Sequence, residues 1–142
     1  MSEQREVLMR YLRAGVDGDR AGRTALFSDD AVVEFPFAPE GTQRRFAGKE
    51  EISSMFSMIG DTALQGEIRV DEEATVLTVH ETVDPEVLIA ESEVHVDTPM
   101  GRLRLPYIQV FRIRDGQILL FRDYFGPRTG QLTSSLFSEA SR

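Results

Sequence analysis

Apolar positions recur every three or four residues early in the chain and every second residue later, so periodicity alone divides it in two. Val7, Leu8, Tyr11, Leu12 and Val16 form one stripe of a helix over Glu3–Asp17. Gly18 suits the stop of that helix, and Asp19 caps a second, short helix over residues 20–27. Asp29-Asp30 then closes the helical part, and residues 31–37 read as a strand that ends among aromatics and prolines. A loop, Ala38-Pro39-Glu40-Gly41-Thr42, leads to Phe46-Ala47-Gly48 and a third helix with Ile52, Met55, Phe56 and Ile59 on its apolar side. Beyond it the period drops to two. Residues 67–82, 86–97, 102–114 and 117–125 read as strands, separated by Asp84-Pro85, Pro99-Met100-Gly101 and Asp115-Gly116. The last of these is a strong hairpin signal. The tail from Gly126 is polar, with Leu132, Leu136 and Phe137 as its anchors.

These elements predict a single α+β domain over residues 1–142, with four antiparallel strands in a meander and the first strand joining the same sheet. The strand through Tyr107, Gln109, Phe111 and Ile113 carries apolar groups on its other face too, at Ile108 and Val110. A sheet with one solvated face alternates more cleanly. One face should therefore meet the helices and enclose a pocket, and the other should pair with a second copy of the chain.

Composition narrows the function. A net charge of −8 argues against nucleic acid and anionic membranes as partners. The chain has no cysteine, which removes thiol catalysis, disulfides and thiolate metal sites, and its two histidines exclude a histidine-rich metal site. Neither a signal peptide nor a membrane-spanning run is legible, so a cytoplasmic location is expected. Lys49 is the single lysine among many arginines, consistent with a GC-rich, bacterial genome.

Several short motifs resemble the nuclear-transport-factor-two-like superfamily, which includes ketosteroid isomerases and SnoaL-like polyketide cyclases. Arg10-Tyr11, Gly18-Asp19, Ala25-Leu26-Phe27, Asp29-Asp30-Ala31 and Val33-Glu34 resemble the first third of a ketosteroid isomerase. Phe111-Arg112-Ile113, Gly116-Gln117-Ile118 and Phe125-Gly126 resemble its closing hairpin. Glu81-Thr82-Val83-Asp84-Pro85, Glu91 and the run from Arg122 to Pro127 are similar to the small phenazine-biosynthesis proteins of the same superfamily. The resemblance implies a cone-shaped, cystatin-like α+β barrel: a curved mixed sheet wrapped around the N-terminal helices. Fold alone does not settle the reaction.

The resemblance also places candidate catalytic groups. Tyr11 matches the oxyanion-binding tyrosine of the isomerases, and Gln109 falls where they carry a protonated aspartate. Their proton-shuttling aspartate falls at Phe35, which argues against the steroid-isomerase route. Asp123 lies where SnoaL-like cyclases and the phenazine proteins carry their acid–base group, although the histidine that cyclases pair with it is Gln109 here. The residues point to Asp123 independently. It shares a strand face with Leu119 and Phe121, while Leu120 and Arg122 point away, and a carboxyl group on an apolar face must be paired or neutralised. A structural role for Asp123, Tyr11 or Gln109, each bonding another, remains an open alternative.

Phe35, Phe37, Phe46, Met55, Phe56, Tyr107, Phe111 and Phe121 are candidate substrate-binding residues, with Met58 and Met100 as further apolar lining; core filling is the alternative. His95, in register with Glu91, Glu93 and Asp97, reads as part of a solvated acidic face, and His80 as exposed or, at most, a base on the pocket rim. Glu34 should face away from the pocket as a partner for an arginine. Gly18 to Gly22 lacks the context of a phosphate loop. The expected function is cofactor-independent, metal-free isomerase- or cyclase-type acid–base catalysis on a small hydrophobic carbonyl compound; a non-catalytic ligand-binding or dimerisation module is the alternative.

Overall fold

In a computed structural model that describes residues 1–60 and 67–132, the helix predicted at the N-terminus forms with the expected ends. Helix α1 spans Glu3–Asp17; the Ser2 side chain accepts from the Arg5 amide, and Gly18 terminates the helix at φ 69°. That left-handed geometry suits glycine, and its N–H closes onto the carbonyls of Ala14 and Gly15. Asp19 caps α2 (Arg20–Ala25) by accepting from the Gly22 amide. Strand β1 follows at once over Phe27–Glu34. Asp29 and Asp30 thus lie inside a strand rather than at a helix end, and Phe35 and Phe37 lie beyond it. Strand β2 (Arg45–Ala47), not expected from the sequence, precedes α3 (Lys49–Gly60). Strands β3 (Arg69–Glu81), β4 (Val87–Thr98), β5 (Gly101–Arg114) and β6 (Gln117–Phe125) form the predicted meander. A final helix, α4, covers Pro127–Leu132; Leu136 and Phe137 lie outside the described residues. No helix among the described residues is long and apolar enough to cross a membrane.

The strand order is β2-β1-β6-β5-β4-β3. Strand β1 joins in parallel with β6, and the other pairings are antiparallel. The fold is thus the α+β mixed sheet the sequence implied, curved over its helices but open, since edge strands β2 and β3 do not pair. The β5–β6 turn places Asp115 at φ 52° and Gly116 at φ 75°, the paired positive angles of a type I′ hairpin.

The core lies between the sheet and the helices. Val7, Leu8 and Tyr11 of α1 and Ile52, Met55 and Phe56 of α3 bury against Phe27, Val33, Phe111 and Phe121. Leu12 is only partly buried, and Val16, placed on the same stripe, is 39% exposed and lines a cavity instead of filling the core. The opposite sheet face keeps the apolar character noted in the sequence, with Val76 and Ile108 exposed on it.

Candidate active site

A bulge in the β5–β6 pair fixes the centre of the cavity. The hairpin starts with Arg114 opposite Gln117, a register that would place Gln109 opposite Arg122 if it continued. Instead Arg112 faces Leu120 and Ile113 faces Ile118, leaving Leu119 as an extra residue. The pairing advances by one, so Gln109 faces Asp123, Phe111 faces Phe121 and Tyr107 faces Phe125. Ile118, not Leu119, therefore fills the core at the start of β6, correcting the face expected for Leu119.

Asp123 is buried at 9% exposure. Gln109 Nε2 donates to its Oδ2 at 3.4 Å, while Oδ1 is buried without a hydrogen-bond partner. Burial, opposed by the Gln109 bond and by the Arg23 charge, pushes its carboxyl up to about 7. Tyr11 is fully enclosed, with ring contacts to Phe121 at 4.9 Å and Phe111 at 5.5 Å. Burial raises its hydroxyl to about 12 against the pull of Arg23. Burial raises Tyr107 to about 12 as well, with Thr129 opposing. Both phenols therefore remain hydrogen-bond donors at neutral pH.

These groups line one cavity of about 260 Å³, together with Arg23, Phe35, Phe56, Phe121 and Phe125. A second depression beside the α1–α2 turn shares Gly15, Val16, Arg23, Phe56, Ile59, Ile68 and Val70 with it, so the two adjoin on that side. Of the residues expected to line a pocket, Phe35, Phe56, Tyr107 and Phe121 do so. Phe46, Met55 and Phe111 are instead spent in the core, and Met58 packs against it. Phe37 is 66% exposed, edge-on to Tyr124, because it follows the end of β1 rather than lying in a strand. Met100 is exposed in the β4–β5 turn.

His80 bonds Glu91 at 3.0 Å and His95 bonds Glu93 at 2.9 Å, both outside the cavity, so His80 is no pocket-rim base. Glu34 finds its arginine in Arg122, which donates through Nε and Nη2 at 3.2 Å. Arg23 escaped the sequence reading. Its guanidinium lies 4.5 Å from the Tyr11 ring centroid and 4.8 Å from that of Phe56. A Cβ on Gly15 would come within 3.0 Å of its Nη2. A glycine in the body of α1, where alanine would stabilise the helix, was the available signal.

The SnoaL-like domain family matches residues 8–121 of the chain. An uncharacterised PhzA/B-like protein of Pseudomonas aeruginosa is 36% identical over 127 residues, covering 87% of this chain and 84% of that one. The solved structure of a Bacillus subtilis protein named as a candidate isomerase superposes with a TM-score of 0.76 at 28% identity, covering 95% of this chain and 96% of its own. A phenazine-biosynthesis-related protein of Pseudomonas aeruginosa shares the fold, with a TM-score of 0.69 at 19% identity over 93% of this chain and 81% of that one. Sequence, strand order and cavity agree: the chain belongs to the SnoaL-like family of the nuclear-transport-factor-two-like superfamily, with its small-molecule-binding, isomerase- and cyclase-type fold.

Proposed function

We propose that the protein is a cofactor-independent enzyme that moves a proton on a small hydrophobic carbonyl compound, with Asp123 as the acid–base group. One observation carries this reading: a buried carboxyl group, raised to about 7, leaves one oxygen without a partner in an apolar cavity. A group near neutrality can both accept and return a proton at ordinary pH. Tyr11 and Tyr107, held protonated by burial, supply donors for negative charge developing on the carbonyl oxygen. The amide of Gln109 is directed at Asp123, so it orients the carboxyl group rather than holding the substrate oxygen. At about 260 Å³ the cavity suits one or two fused rings better than a larger polycycle.

The test is exchange of the protons beside the carbonyl of 2-tetralone in deuterated buffer, followed by NMR. The protein should accelerate exchange with a dependence on one group titrating near pH 7, and Asp123→Asn should abolish it while leaving ligand-induced thermal stabilisation in place. Exchange that persists in the variant removes Asp123 from the chemistry. Stabilisation by ligand without any exchange would favour a binding module instead.

A further inference from the structure

The arginines on the outer face of the sheet show what this protein does with a guanidinium that needs a counter-ion. Arg102, Arg104, Arg112, Arg114 and Arg122 each meet a carboxylate of a neighbouring strand or turn. Arg23 is built differently. It enters the cavity from α2, sandwiched against the Tyr11 and Phe56 rings, in space that the missing side chain of Gly15 leaves open. Its Nε is buried with no hydrogen-bond partner. Among the described residues the one carboxyl group lining the same cavity, Asp123, feels Arg23 only as the least of the influences upon it, and its bond goes to Gln109. A cation with an unused N–H in an apolar cavity is costly until an anion arrives. A planar carboxylate fits the edge of one guanidinium.

From this arrangement we infer that the ligand of the cavity is itself a carboxylic acid, its carboxylate held by Arg23 at the α1–α2 side and its reactive carbon presented to Asp123. This rests on the catalytic reading only for the word reactive; recognition of the acid by Arg23 stands or falls separately. Gly15 becomes a specificity-determining position, since a Cβ there would lie 3.0 Å from Nη2 and 3.2 Å from Cζ and press the guanidinium out of place by a few tenths of an ångström. The Tyr11 and Phe56 rings flank the guanidinium and the Tyr11 hydroxyl accepts a hydrogen bond from it, while Nε stays without a partner and is left for the ligand.

Calorimetry with matched probes at pH 6 tests the inference: 2-naphthoate against 2-naphthamide, and the smaller benzoate against benzamide, so that size alone cannot hide the effect. The acid of at least one pair should bind the wild-type protein about ten-fold or more tightly than its amide, the range of a charge-assisted hydrogen bond. The preference should vanish in Arg23→Gln, survive in part in Arg23→Lys, and fall in Gly15→Ala. The Gly15→Ala variant keeps every charge and gains helix propensity, so it answers the question even if Arg23→Gln folds poorly. Equal binding of acid and amide to the wild type, or an undiminished preference in Arg23→Gln, overturns the inference. Failure of all four probes to bind overturns it together with the cavity reading. Tight acid binding without proton exchange on 2-tetralone leaves the inference standing and sinks the catalytic proposal.

Discussion

Replacing Asp123 by asparagine should stabilise the protein, and by an amount set by pH. In the unfolded chain the carboxyl group titrates near 3.8, whereas in the folded protein burial raises it to about 7. Below about pH 4 both states hold the proton and Asp123 contributes no pH-dependent term. Between about 4 and 7 the folded state keeps a proton that the unfolded chain releases, so stability falls by about 1.4 kcal/mol per pH unit. Above about 7 both states are ionised and the cost levels off at about 4 kcal/mol, the free energy of roughly three pH units. Asparagine has nearly the same shape, can still accept from Gln109, and carries no charge to desolvate. Urea denaturation of both proteins at equal concentration, from pH 4 to 9, gives the comparison. Other pH-dependent groups, among them the arginine-paired Glu86 and Glu93 whose carboxyls sit below their usual range, cancel in the difference. The expected curve is near zero at pH 4, rises in favour of asparagine to pH 7, and is flat beyond. A flat curve throughout, or greater stability of the aspartate at pH 8, would show a carboxylate paired in the folded state. It would also remove the physical basis for Asp123 as an acid–base group.

Phe35→Ala should admit water to the cavity and move the Asp123 midpoint down from about 7 towards 3.8, read by carbon-13 NMR of the labelled carboxyl; an unmoved midpoint would mean that Phe35 does not shield it. Phe111→Ala, at a fully buried ring, should cost about 3–5 kcal/mol in urea denaturation, and a loss below 1 kcal/mol would refute its place in the core. The outer sheet face, with Val76 and Ile108 exposed, is proposed to pair with a second copy. Light scattering at micromolar concentration should give a dimer and Ile108→Arg a monomer; a monomeric wild type refutes the pairing.

The parts legible in the sequence were those where one period ran without interruption. Helix α1 has its apolar stripe, serine cap and glycine stop in consecutive order, and its ends fell where those signals lay. The β5–β6 turn was legible because aspartate-glycine tolerates two positive φ angles in succession. The start of β1 was not. Its register with β6 shifts between Phe27 and Val32, so buried and exposed positions cease to alternate around Asp29 and Asp30, and those residues read as a helix end. Strand β2 is three residues long, too short to show a period, and it pairs Phe46 with Val33, both buried. For the site, Asp123, Gln109 and Tyr11 could be named as polar groups among apolar ones. Arg23 could not. It lies three residues after Arg20 on a six-residue helix, where nothing in the pattern separates a solvated arginine from one turned inward.

Phe35 links the absent isomerase base to the surviving carboxyl group. Strand β1 runs parallel to β6 with Val33 beside Phe121 and Glu34 beside Arg122. Phe35 follows Glu34 just beyond the end of β1, Asp123 follows Arg122 on β6, and both line the cavity. An aspartate at residue 35 would place two carboxyl groups in one cavity, and their repulsion would set which one kept a proton. A phenyl ring there removes that competition and replaces the second charge with apolar surface, packed between Phe46 and Phe125. The same choice that removes a base from the end of β1 therefore supplies part of the burial that lifts Asp123 towards neutrality. Phe35 and Asp123 are then one arrangement: a single carboxyl group tuned by desolvation, with its polar support drawn from Gln109 across the hairpin and only a minor pull from the Arg23 charge.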